Sequence, residues 1–571
     1  MASANAKVAQ IFDEIADLLE LQDANAFRVR AYRYAAQSIG EFGTDIRDYV
    51  GRGLPLTDIP GIGADLEKKI KEILDSGSCE FLLKLEEQVP AGITRLLRVP
   101  GLGPKRVRTL WHDLDIVSAE QLLEAAKRQR IRTLPGFGEK TERKILEAVE
   151  RYLAQTAPRF RLAEAERVAE PLAAMLRSVP GVNAVEITGS YRRRRETVGD
   201  LDLVATASTS DAVMERFIAY PPAVEILSQG PTRASVRLNS GIQVDLRVLP
   251  PESFGAACQY FTGSKAHNIA VRRIAQDLGL KINEYGVFRG ETAIAGKTEA
   301  SVYAAIGLPW IPPELREDRG EIQAAREGKL PALIELKDLR GDLHILDGEV
   351  HDAKSTESLL QAAAALKYRY AAITLPARVL RADPGSLDRL LNQIDRANAV
   401  DASLDCLSGI EVDVLEDGSL GLPDVVLDRV ELVVAAVHDR FDLTTARQTE
   451  RVLKALSHPR VSILAHPTNR LLGGREAVDI DMQQVTRKAR ERDVALEVNG
   501  QPERLDLTDT LCRLAVDENV ALALSAGAQR REELAFIRYA IGQARRGWVT
   551  KADIINTLPL ARLRKRLAAH R

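Results

Sequence analysis

Residues 189–202 read Gly189-Ser190-Tyr191-Arg192-Arg193-Arg194-Arg195-Glu196-Thr197-Val198-Gly199-Asp200-Leu201-Asp202. The apolar alternation on either side predicts short strands at residues 185–188 and 200–204. In the second strand, Asp200 and Asp202 project from one face and the apolar residues from the other. The glycine–serine turn offers backbone N–H groups and a hydroxyl to a phosphate. Two carboxylates beside such a turn favour divalent metal ions and phosphoryl transfer.

The composition is typical of a globular chain with several domains. Its 571 residues allow three or more domains, and 45% of them are apolar and 28% charged. No apolar run is long enough to cross a bilayer, and the N-terminus does not resemble a signal peptide. The unpaired spacing of the cysteines predicts reduced thiols, without a disulfide framework or zinc site, in a cytoplasmic protein. These are Cys79, Cys258, Cys406 and Cys512.

A turn of the form Pro-Gly-x-Gly occurs three times in the N-terminal third, each time before a helical pattern. The copies are residues 59–63, 99–103 and 134–138, and their first glycines lie 40 and then 35 residues apart. Such a turn exposes N–H groups at a helix N-terminus, which suits a backbone phosphate. One copy is compatible with an ordinary structural turn, but three indicate a functional repeat.

These units resemble helix–hairpin–helix motifs, which bind DNA without reading base edges. Residues 91–160 contain 14 Lys or Arg against 8 Asp or Glu, a net charge of +6. This charge suits a polyanion, although a solvated helix face would show the same excess. The expected DNA contacts are Gly61, Gly63, Gly101, Gly103, Lys105, Gly136, Gly138 and Lys140.

A segment near the first hairpin has a second possible role. Residues 27–32, followed by Lys68 and Lys69, resemble the small N-terminal domain of family X DNA polymerases. The resemblance implies that Lys69 attacks a 5′-deoxyribose phosphate, with Arg28 and Tyr32 as orienting contacts. A cationic neighbour such as Lys68 would favour the free amine that a Schiff base requires. The alternative is that Lys69 is a phosphate-contacting or surface lysine.

The middle third provides a further carboxylate. Residues 234–238 and 242–248 flank an Asn-Ser-Gly turn, which is typical of a hairpin, and residues 162–177 predict a helix. In the second hairpin strand, Asp245 shares a face with Gln243 and Arg247. If this strand lies beside residues 200–204, three carboxylates converge, as a two-metal site requires. The alternative is a solvated surface.

The middle third as a whole resembles the palm and thumb of family X DNA polymerases. The resemblance implies that Asp200 and Asp202 bind two Mg²⁺ or Mn²⁺ ions, and that Asp245 binds the ion that activates the primer end. It also implies nucleotide contacts at Gly189, Ser190, Arg193, Gly199, Tyr260, Phe261, Gly263, Asn268 and Arg272. Residues 282–288 predict a thumb hairpin. Relatives often have glycine where this chain has Arg194.

The C-terminal third alternates short apolar strands with helices, which predicts a (β/α) barrel with functional residues at the strand ends. It resembles the polymerase-and-histidinol-phosphatase domain of bacterial family X polymerases, through residues 340–344, 409–412, 436–438 and 464–467. The expected ligands are His344, Glu411, His438 and His466.

Five ligands of that family's trinuclear metal site are replaced in this chain. Its second histidine is Leu346, its Asp-His pair is Leu375-Pro376, and its last motif is Gly527-Ala528-Gln529. Leu, Pro and Gly side chains cannot bind a metal. We therefore expect no metal or a single one here, and a domain that serves as scaffold or DNA-binding surface. His351 and Asp352 lie close in sequence to the substituted His-x-His motif and are the candidates to replace its lost ligands.

The resemblance therefore implies a multidomain α+β and α/β protein. The expected parts are a helical lyase-like domain at 1–85, a fingers-like domain at 86–155, a nucleotidyltransferase palm at 156–250, a thumb at 251–317, a linker at 318–335 and a barrel at 336–571. A charged helix is expected over residues 314–329, from the end of the thumb into the linker. The expected function is gap-filling DNA synthesis by a monomer that binds gapped or nicked duplex and deoxynucleoside triphosphates, away from membranes and near the bacterial nucleoid.

Three alternatives remain open. The barrel retains a manganese-dependent 3′→5′ exonuclease through its residual ligands, or the chain is a DNA-end tether whose carboxylates no longer catalyse. A template-independent nucleotidyltransferase shares the Gly-Ser and Asp-x-Asp core, but it has no reason to carry three DNA-binding hairpins.

Overall fold

The computed structural model describes residues 4–570 apart from 23, 41, 43–45, 52, 77, 90–92, 94–95, 98, 157–158, 349–352 and 401–402. The chain forms two compact units, Met1–Pro158 and Arg159–Arg571. His351 and Asp352 lie outside the described residues. None of the described helices is both long and apolar enough to cross a membrane.

The first unit is helical. In its first helix, Val8, Phe12, Ile15 and Leu19 recur three or four residues apart, and each is at most 2% exposed. This spacing places one apolar stripe of the helix in the core. The helices are Ala4–Leu21, Ala26–Gly40, Ile46–Gly51, Ala64–Ser76, Glu80–Gln88, Pro104–Leu114, Ala119–Lys127 and Glu139–Thr156.

The three Pro-Gly-x-Gly turns have the same backbone geometry. The first glycine of each turn, at positions 61, 101 and 136, has a φ of 83°, 86° and 79°. In each turn the N–H after this glycine donates to the carbonyl three residues earlier, at 3.0 to 3.1 Å. Because an L side chain disfavours this φ, the turn requires glycine. The structure thus confirms the repeat predicted from the sequence.

The second unit begins with a five-stranded sheet. Its strands are β2 (Val182–Ile187), β4 (Asp200–Ala207), β5 (Ala223–Gln229), β6 (Arg233–Leu238) and β7 (Gln243–Leu249), with β1 (Phe160–Arg161) and β3 (Thr197–Val198) forming a separate pair. The order is β2-β4-β7-β6-β5, and only β4 and β7 run parallel. Helices Leu162–Arg177, Gly189–Arg192 and Asp211–Ile218 accompany this sheet.

A smaller subdomain follows. Its strands β8 (Lys281–Asn283), β9 (Gly286–Arg289) and β10 (Thr292–Ala295) form an antiparallel sheet. Strands β8 and β9 form the hairpin that was predicted over residues 282–288. Its helices are Phe254–Thr262, Lys265–Asp277 and Glu299–Ala305.

The prediction of one charged helix over residues 314–329 was wrong in extent. Only Glu321–Arg326 is α-helical, and Gly320 before it has a φ of 97°, which interrupts any longer helix. Leu315 and Ala325 are 1% and 3% exposed and belong to the core of the thumb-like subdomain. This segment is therefore packed rather than solvated.

Seven parallel strands form the C-terminal sheet, as predicted for a barrel. They are β11 (Gly341–Leu346), β12 (Tyr370–Pro376), β13 (Asp405–Asp413), β14 (Leu432–Ala436), β15 (Ile463–Leu464), β16 (Ala495–Asn499) and β17 (Leu522–Ser525), in sequence order. The Leu346 N–H donates to the Ala528 carbonyl at 2.8 Å, so the first strand nearly meets the last.

Helices surround this barrel and join it to the five-stranded sheet. They are Ala353–Ala365, Ala377–Ala382, Ser386–Val400, Asp424–Leu427, Thr445–Leu456, Met482–Glu491, Asp509–Asp517, Ile537–Arg546 and Leu560–Ala568. Leu505 and Tyr539, 1% and 3% exposed, pack into the core of the five-stranded sheet. The Tyr539 hydroxyl also donates to Glu166 at 2.6 Å.

Candidate active site

The parallel pairing of β4 and β7 brings three carboxylates together. Asp202 lies opposite Asp245 in the register, and Asp200 lies opposite Gln243. Leu201 and Val244, which alternate with these residues, are fully buried. The period of two therefore fixes which side chains face the site. The structure confirms the predicted convergence of the three aspartates.

Gly189 is required by a close approach between the turn and Asp202. Its φ is 63°, and a Cβ built on it would lie 2.6 Å from Oδ2 of Asp202. The N–H and hydroxyl of Thr188 both donate to the main-chain carbonyl of Asp202, at 2.7 and 3.0 Å. The turn is thus bound directly to the strand that carries two of the carboxylates.

The carboxylates repel one another in a partly desolvated position. Burial, followed by Asp200 and Asp245, raises the pKa of Asp202 to about 7. Burial and the neighbouring Asp245 also raise the pKa of Asp200. Asp245 accepts hydrogen bonds from the Gln243 amide at 3.0 Å and from the Ser235 hydroxyl. Oxygen ligands whose charges repel fit divalent cations, because a cation between them removes the repulsion.

The arginines after the turn are buried in ion pairs. Arg192 donates to both oxygens of Glu299 at 2.8 and 2.9 Å. Arg193 pairs with Glu317 at 3.1 Å and also donates to the Thr262 carbonyl. Burial lowers the pKa of Arg193, although Glu317 opposes this shift. Sequence reasoning missed both glutamates: Glu317 was assigned to a charged helical linker, and Glu299 in the predicted thumb was given no role.

Arg194 replaces a glycine that relatives often have, and its conformation explains that preference. Its φ is 55°, in the left-handed region that glycine adopts without strain. Its guanidinium lies 5.6 Å from the centre of the Tyr191 ring. The substitution therefore retains a glycine-like turn with a larger residue.

The segment that follows β7 lies against the same arginines. A Cβ on Gly263, whose φ is 69°, would lie 3.2 Å from a guanidinium nitrogen of Arg193. Asn268 donates to the Tyr260 carbonyl at 2.6 Å. The guanidinium of Arg272 lies 5.8 Å from the centre of the Tyr260 ring. These expected nucleotide contacts therefore form one connected cluster.

The remaining expected contacts occupy less connected positions. Ser190 is half-buried in the turn. Phe261 stacks edge-on against Tyr260 and lies below the guanidinium of Arg247, at 4.6 Å. A Cβ on Gly199 would lie 3.7 Å from a guanidinium nitrogen of Arg159.

In the first unit, Lys69 has a carboxylate neighbour. Its Nζ lies 2.5 Å from Oδ1 of Asp65, and its side chain is 11% exposed. Lys68, which we expected to act on it, is exposed on the same helix. Tyr32 stacks on Phe81 at 5.9 Å. Lys69 therefore has an acidic neighbour one helical turn earlier that the sequence interpretation did not include.

The barrel brings part of the expected metal cluster together. One ligand atom from each of Glu411, His438 and His466 lies within 4.8 Å of the other two. His344 instead lies between Glu411, at 3.0 Å, and Glu497, at 2.7 Å. Although burial lowers it, these two carboxylates raise the pKa of His344 to about 10. Sequence reasoning missed Glu497, whose signal was a lone carboxylate in the apolar strand 495–498.

Other ligand positions of this cluster are closed as well as substituted. A Cβ on Gly527 would lie 2.7 Å from the Asn499 amide and 3.0 Å from Gln501. Gln501 also donates to the Gly527 carbonyl at 2.7 Å. Neighbouring side chains thus fill the space that an acidic residue would need at position 527. The residues present fit at most a single metal, and not a trinuclear centre.

A cleft of about 1490 Å³ opens over this cluster. Seven arginines and seven carboxylates are among the residues that line it. Because these charges balance, the cleft has no strong preference for a polyanion. The charge of the cleft therefore does not favour a DNA-binding surface over a scaffold.

Three family models match the chain. They are a DNA polymerase beta thumb at residues 257–317, a helix-hairpin-helix domain at residues 3–79 and a SAM-like helix-hairpin-helix tandem at residues 93–151. These matches cover the thumb-like subdomain and the three repeated hairpins.

Similar whole proteins are also known. The DNA polymerase/3′-5′ exonuclease PolX of Bacillus subtilis is 34% identical over 564 residues, which is 97% of each chain. DNA polymerase lambda of Arabidopsis thaliana is 23% identical over 55% of this chain and 62% of its own length. The rat DNA polymerase lambda is 24% identical over 55% of this chain and 56% of its own length. With its helix–hairpin–helix repeats, its three converging aspartates and its C-terminal barrel, the chain belongs to the bacterial family X DNA polymerases with a polymerase-and-histidinol-phosphatase domain.

Proposed function

We propose that this polymerase fills short gaps in duplex DNA, adding deoxynucleotides to a primer 3′-hydroxyl. The observation that supports this most is the register of Asp202 against Asp245, beside the turn at Gly189. The exposed Lys105 and Lys140, each in the first turn of a helix after a hairpin, suit phosphates of the gapped duplex. We further propose that the enzyme acts as a monomer, cytoplasmic and near the nucleoid.

In the proposed reaction, Asp200 and Asp202 would hold two divalent cations, Mg²⁺ or Mn²⁺, and Asp245 would help to hold the one that activates the primer 3′-hydroxyl. When bound, these ions activate the 3′-hydroxyl and stabilise the departing pyrophosphate. Ser190 and Arg193 bind and orient the triphosphate, since the turn directs N–H groups and positive charge to one place. Tyr260 and Phe261 lie against the sugar.

Nucleotide insertion into a one-nucleotide gap tests this proposal. The wild-type enzyme extends the primer when Mg²⁺ or Mn²⁺ is present and stops after chelation. Activity that survives both Asp200→Ala and Asp245→Ala would remove the two-metal assignment. A wild-type protein that binds gapped DNA but does not extend the primer would instead favour the role of a DNA-end tether.

The surroundings of Lys69, whose side chain is only 11% exposed, support a second activity, that of a 5′-deoxyribose phosphate lyase. The guanidinium of Arg28 and the amine of Lys69 lie 4.6 and 5.4 Å from the centre of the Phe81 ring. The amine, Arg28 and Tyr32 thus all contact Phe81, which places a nucleophile beside a cation that suits a 5′-phosphate. The Asp65 carboxylate lies 2.5 Å from the Lys69 amine, and this ion pair must break before the amine can attack the sugar aldehyde.

Borohydride trapping on a 5′-deoxyribose phosphate end is expected to label the wild-type protein slowly. Lys69→Ala should abolish labelling, and Asp65→Asn should increase it because the ion pair that engages the amine is removed. Lys68→Ala is the matched control, since Lys68 is exposed one residue away. Undiminished labelling of Lys69→Ala would exclude the lyase role.

For the barrel, we propose a structural role without the 3′→5′ exonuclease activity named for the Bacillus relative. The closed space at Gly527 and the substituted Leu346 and Pro376 support this proposal, because they remove most of a trinuclear site. Residual nuclease activity is a second candidate, supported by the approach of Glu411, His438 and His466.

Digestion of a 3′-labelled strand with Mn²⁺ distinguishes these two roles. The full chain carrying Asp200→Ala, which lacks the polymerase site, is expected to leave the strand intact. His466→Ala in the same background should then change nothing. Robust degradation that His466→Ala abolishes would show that the residual cluster is an active nuclease.

A further inference from the structure

A helix of the barrel lies directly against the turn that follows Gly189–Arg192. The Gln543 amide donates to the Arg194 carbonyl at 3.2 Å, and the Arg546 guanidinium donates to the Arg193 carbonyl at 2.7 Å. A Cβ built on Gly542 would lie 3.3 Å from the Cβ of Arg194. Two consecutive carbonyls of the turn are therefore bound by one helix, Ile537–Arg546.

These bonds reinforce a left-handed turn that also has two main-chain hydrogen bonds of its own, from the Arg194 N–H to the Tyr191 carbonyl at 2.9 Å and from the Arg195 N–H to the Ser190 carbonyl at 3.1 Å. Arg194 has a φ of 55°, where a residue with a Cβ is disfavoured. Such a conformation persists when surrounding contacts fix it, and Gln543 and Arg546 add contacts at the carbonyls before and after the Cα of Arg194. The barrel thus replaces the freedom that a glycine would give this turn.

Arg546 also contacts the side-chain partner of Arg193. Its side chain is 3% exposed and lies 2.9 Å from Oε1 of Glu317, the same oxygen that accepts from Nε of Arg193 at 3.1 Å. A further nitrogen of Arg546 donates to Asp509 at 2.6 Å. Glu317 therefore has a buried cationic partner, Arg546, and a half-buried one, Arg193, with the more exposed Arg195 farther away at 3.8 Å.

The contact of Glu317 with both Arg193 and Arg546 matters when Arg193 binds a triphosphate. A buried carboxylate left without a partner is costly, so Glu317 alone would retain Arg193. Because Arg546 remains beside Glu317, Arg193 can move to an anionic ligand without leaving this carboxylate unpaired. Arg546 thus orients the main chain of Arg193 and also makes its side chain available.

We propose that Arg546 is a positioning residue for the polymerase, through which the barrel fixes the Arg193–Arg194 turn that presents Arg193 to the triphosphate. The proposal rests on the proposed assignment of Arg193 to the triphosphate. It gives the barrel a function that needs none of the lost metal ligands. Arg546 itself acts only through Arg193 and Glu317.

Insertion of one nucleotide into a gap, with KM and kcat measured for the incoming nucleotide, tests this role. We expect Arg546→Met to raise KM on the order of tenfold and to change kcat less, since the lost interaction serves substrate binding. Arg546→Lys should retain part of the effect of Arg546. Gln543→Met, which removes one hydrogen bond, should raise KM by a smaller factor and provides the test if Arg546→Met does not fold.

Arg545→Gln is the matched control. Arg545 belongs to the same helix and pairs with Glu314 at 2.7 Å, but it does not bond to the turn. This variant should lower the thermal unfolding midpoint and leave KM unchanged. A wild-type KM in Arg546→Met and Gln543→Met would overturn the proposal and leave a purely structural role.

An Arg193→Gln background separates this inference from the proposed function. There, Arg546→Met should change KM by less than about twofold, because both residues act on one interaction. An undiminished effect in this background would show that Arg546 does not act through Arg193. If Arg193→Gln itself leaves KM unchanged, the assignment of Arg193 to the triphosphate is wrong, and the inference falls with it.

Discussion

Replacing Asp202 with asparagine is expected to reduce gap filling at least about a thousandfold, because several kcal/mol of charge stabilisation depend on its carboxylate. Asp202 lies between Asp200 and Asp245, and its carboxylate touches the Gly189 turn. Asparagine has the same shape but lacks the negative charge. The change therefore removes cation binding with little effect on packing. Single-turnover insertion of one nucleotide measures the loss.

The same variant should not be less stable in the presence of a chelator. Burial and then Asp200 and Asp245 raise the pKa of Asp202 from 3.8 to about 7, so the folded protein binds its proton more tightly than the unfolded chain. The free energy of unfolding therefore falls as the pH rises between these two values. Asparagine removes this effect, and above pH 7 the variant should unfold at the wild-type temperature or higher.

Asp211→Asn is the control for this substitution. Asp211 is exposed at the start of helix Asp211–Ile218. Its replacement should leave both nucleotide insertion and the pH dependence unchanged. Gap filling by Asp202→Asn within about tenfold of wild type would remove Asp202 from the catalytic site.

The sequence predicted the parts of this site that follow from local periodicity. Alternation in residues 200–204 and 242–248 indicated which carboxylates share a face, and the pairing of β4 with β7 confirmed it. The repeated Pro-Gly-x-Gly turns predicted three hairpins, because a left-handed glycine leaves a recognisable signature. These features depend on residues close together in the chain.

The ion-pair partners could not be predicted, because they come from distant segments. Glu317 and Arg546 reach Arg193 from 124 and 353 residues away. Both lie in charged stretches that resemble solvated surface, and only tertiary packing buries them. Asp65 shows that a partner close in sequence can also be missed. Helical spacing places it beside Lys69, but the family resemblance directed attention to Lys68 instead.

Glu299→Gln is expected to destabilise the second unit by about 3–5 kcal/mol, the usual cost of breaking a buried ion pair. Glu299 lies between Arg192, at 2.8 Å, and Arg316, at 2.7 Å, and the Arg316 side chain is fully buried. Glutamine leaves Arg316 as a buried cation with no carboxylate in contact. The urea concentration at the midpoint of unfolding measures the loss.

The pH dependence of this effect has a definite sign. Although burial opposes it, Arg316 and Arg192 lower the pKa of Glu299 from 4.5 to about 2. The stability due to this ion pair is therefore present above pH 4.5 and is lost as the pH falls from 4.5 to about 2. The difference between wild type and Glu299→Gln should shrink over the same interval.

Glu225→Gln is the matched control, since Glu225 pairs with Arg237 at 2.9 Å but both side chains are about half exposed. An exposed pair contributes about 0–1 kcal/mol, so this control should unfold almost as wild type does. Equal midpoints for the two variants would show that Glu299 does not stabilise the buried cation of Arg316. Since Arg192 follows the Gly189-Ser190 turn, a large loss in Glu299→Gln alone means that one carboxylate of the thumb stabilises the segment after this turn as well as the buried Arg316.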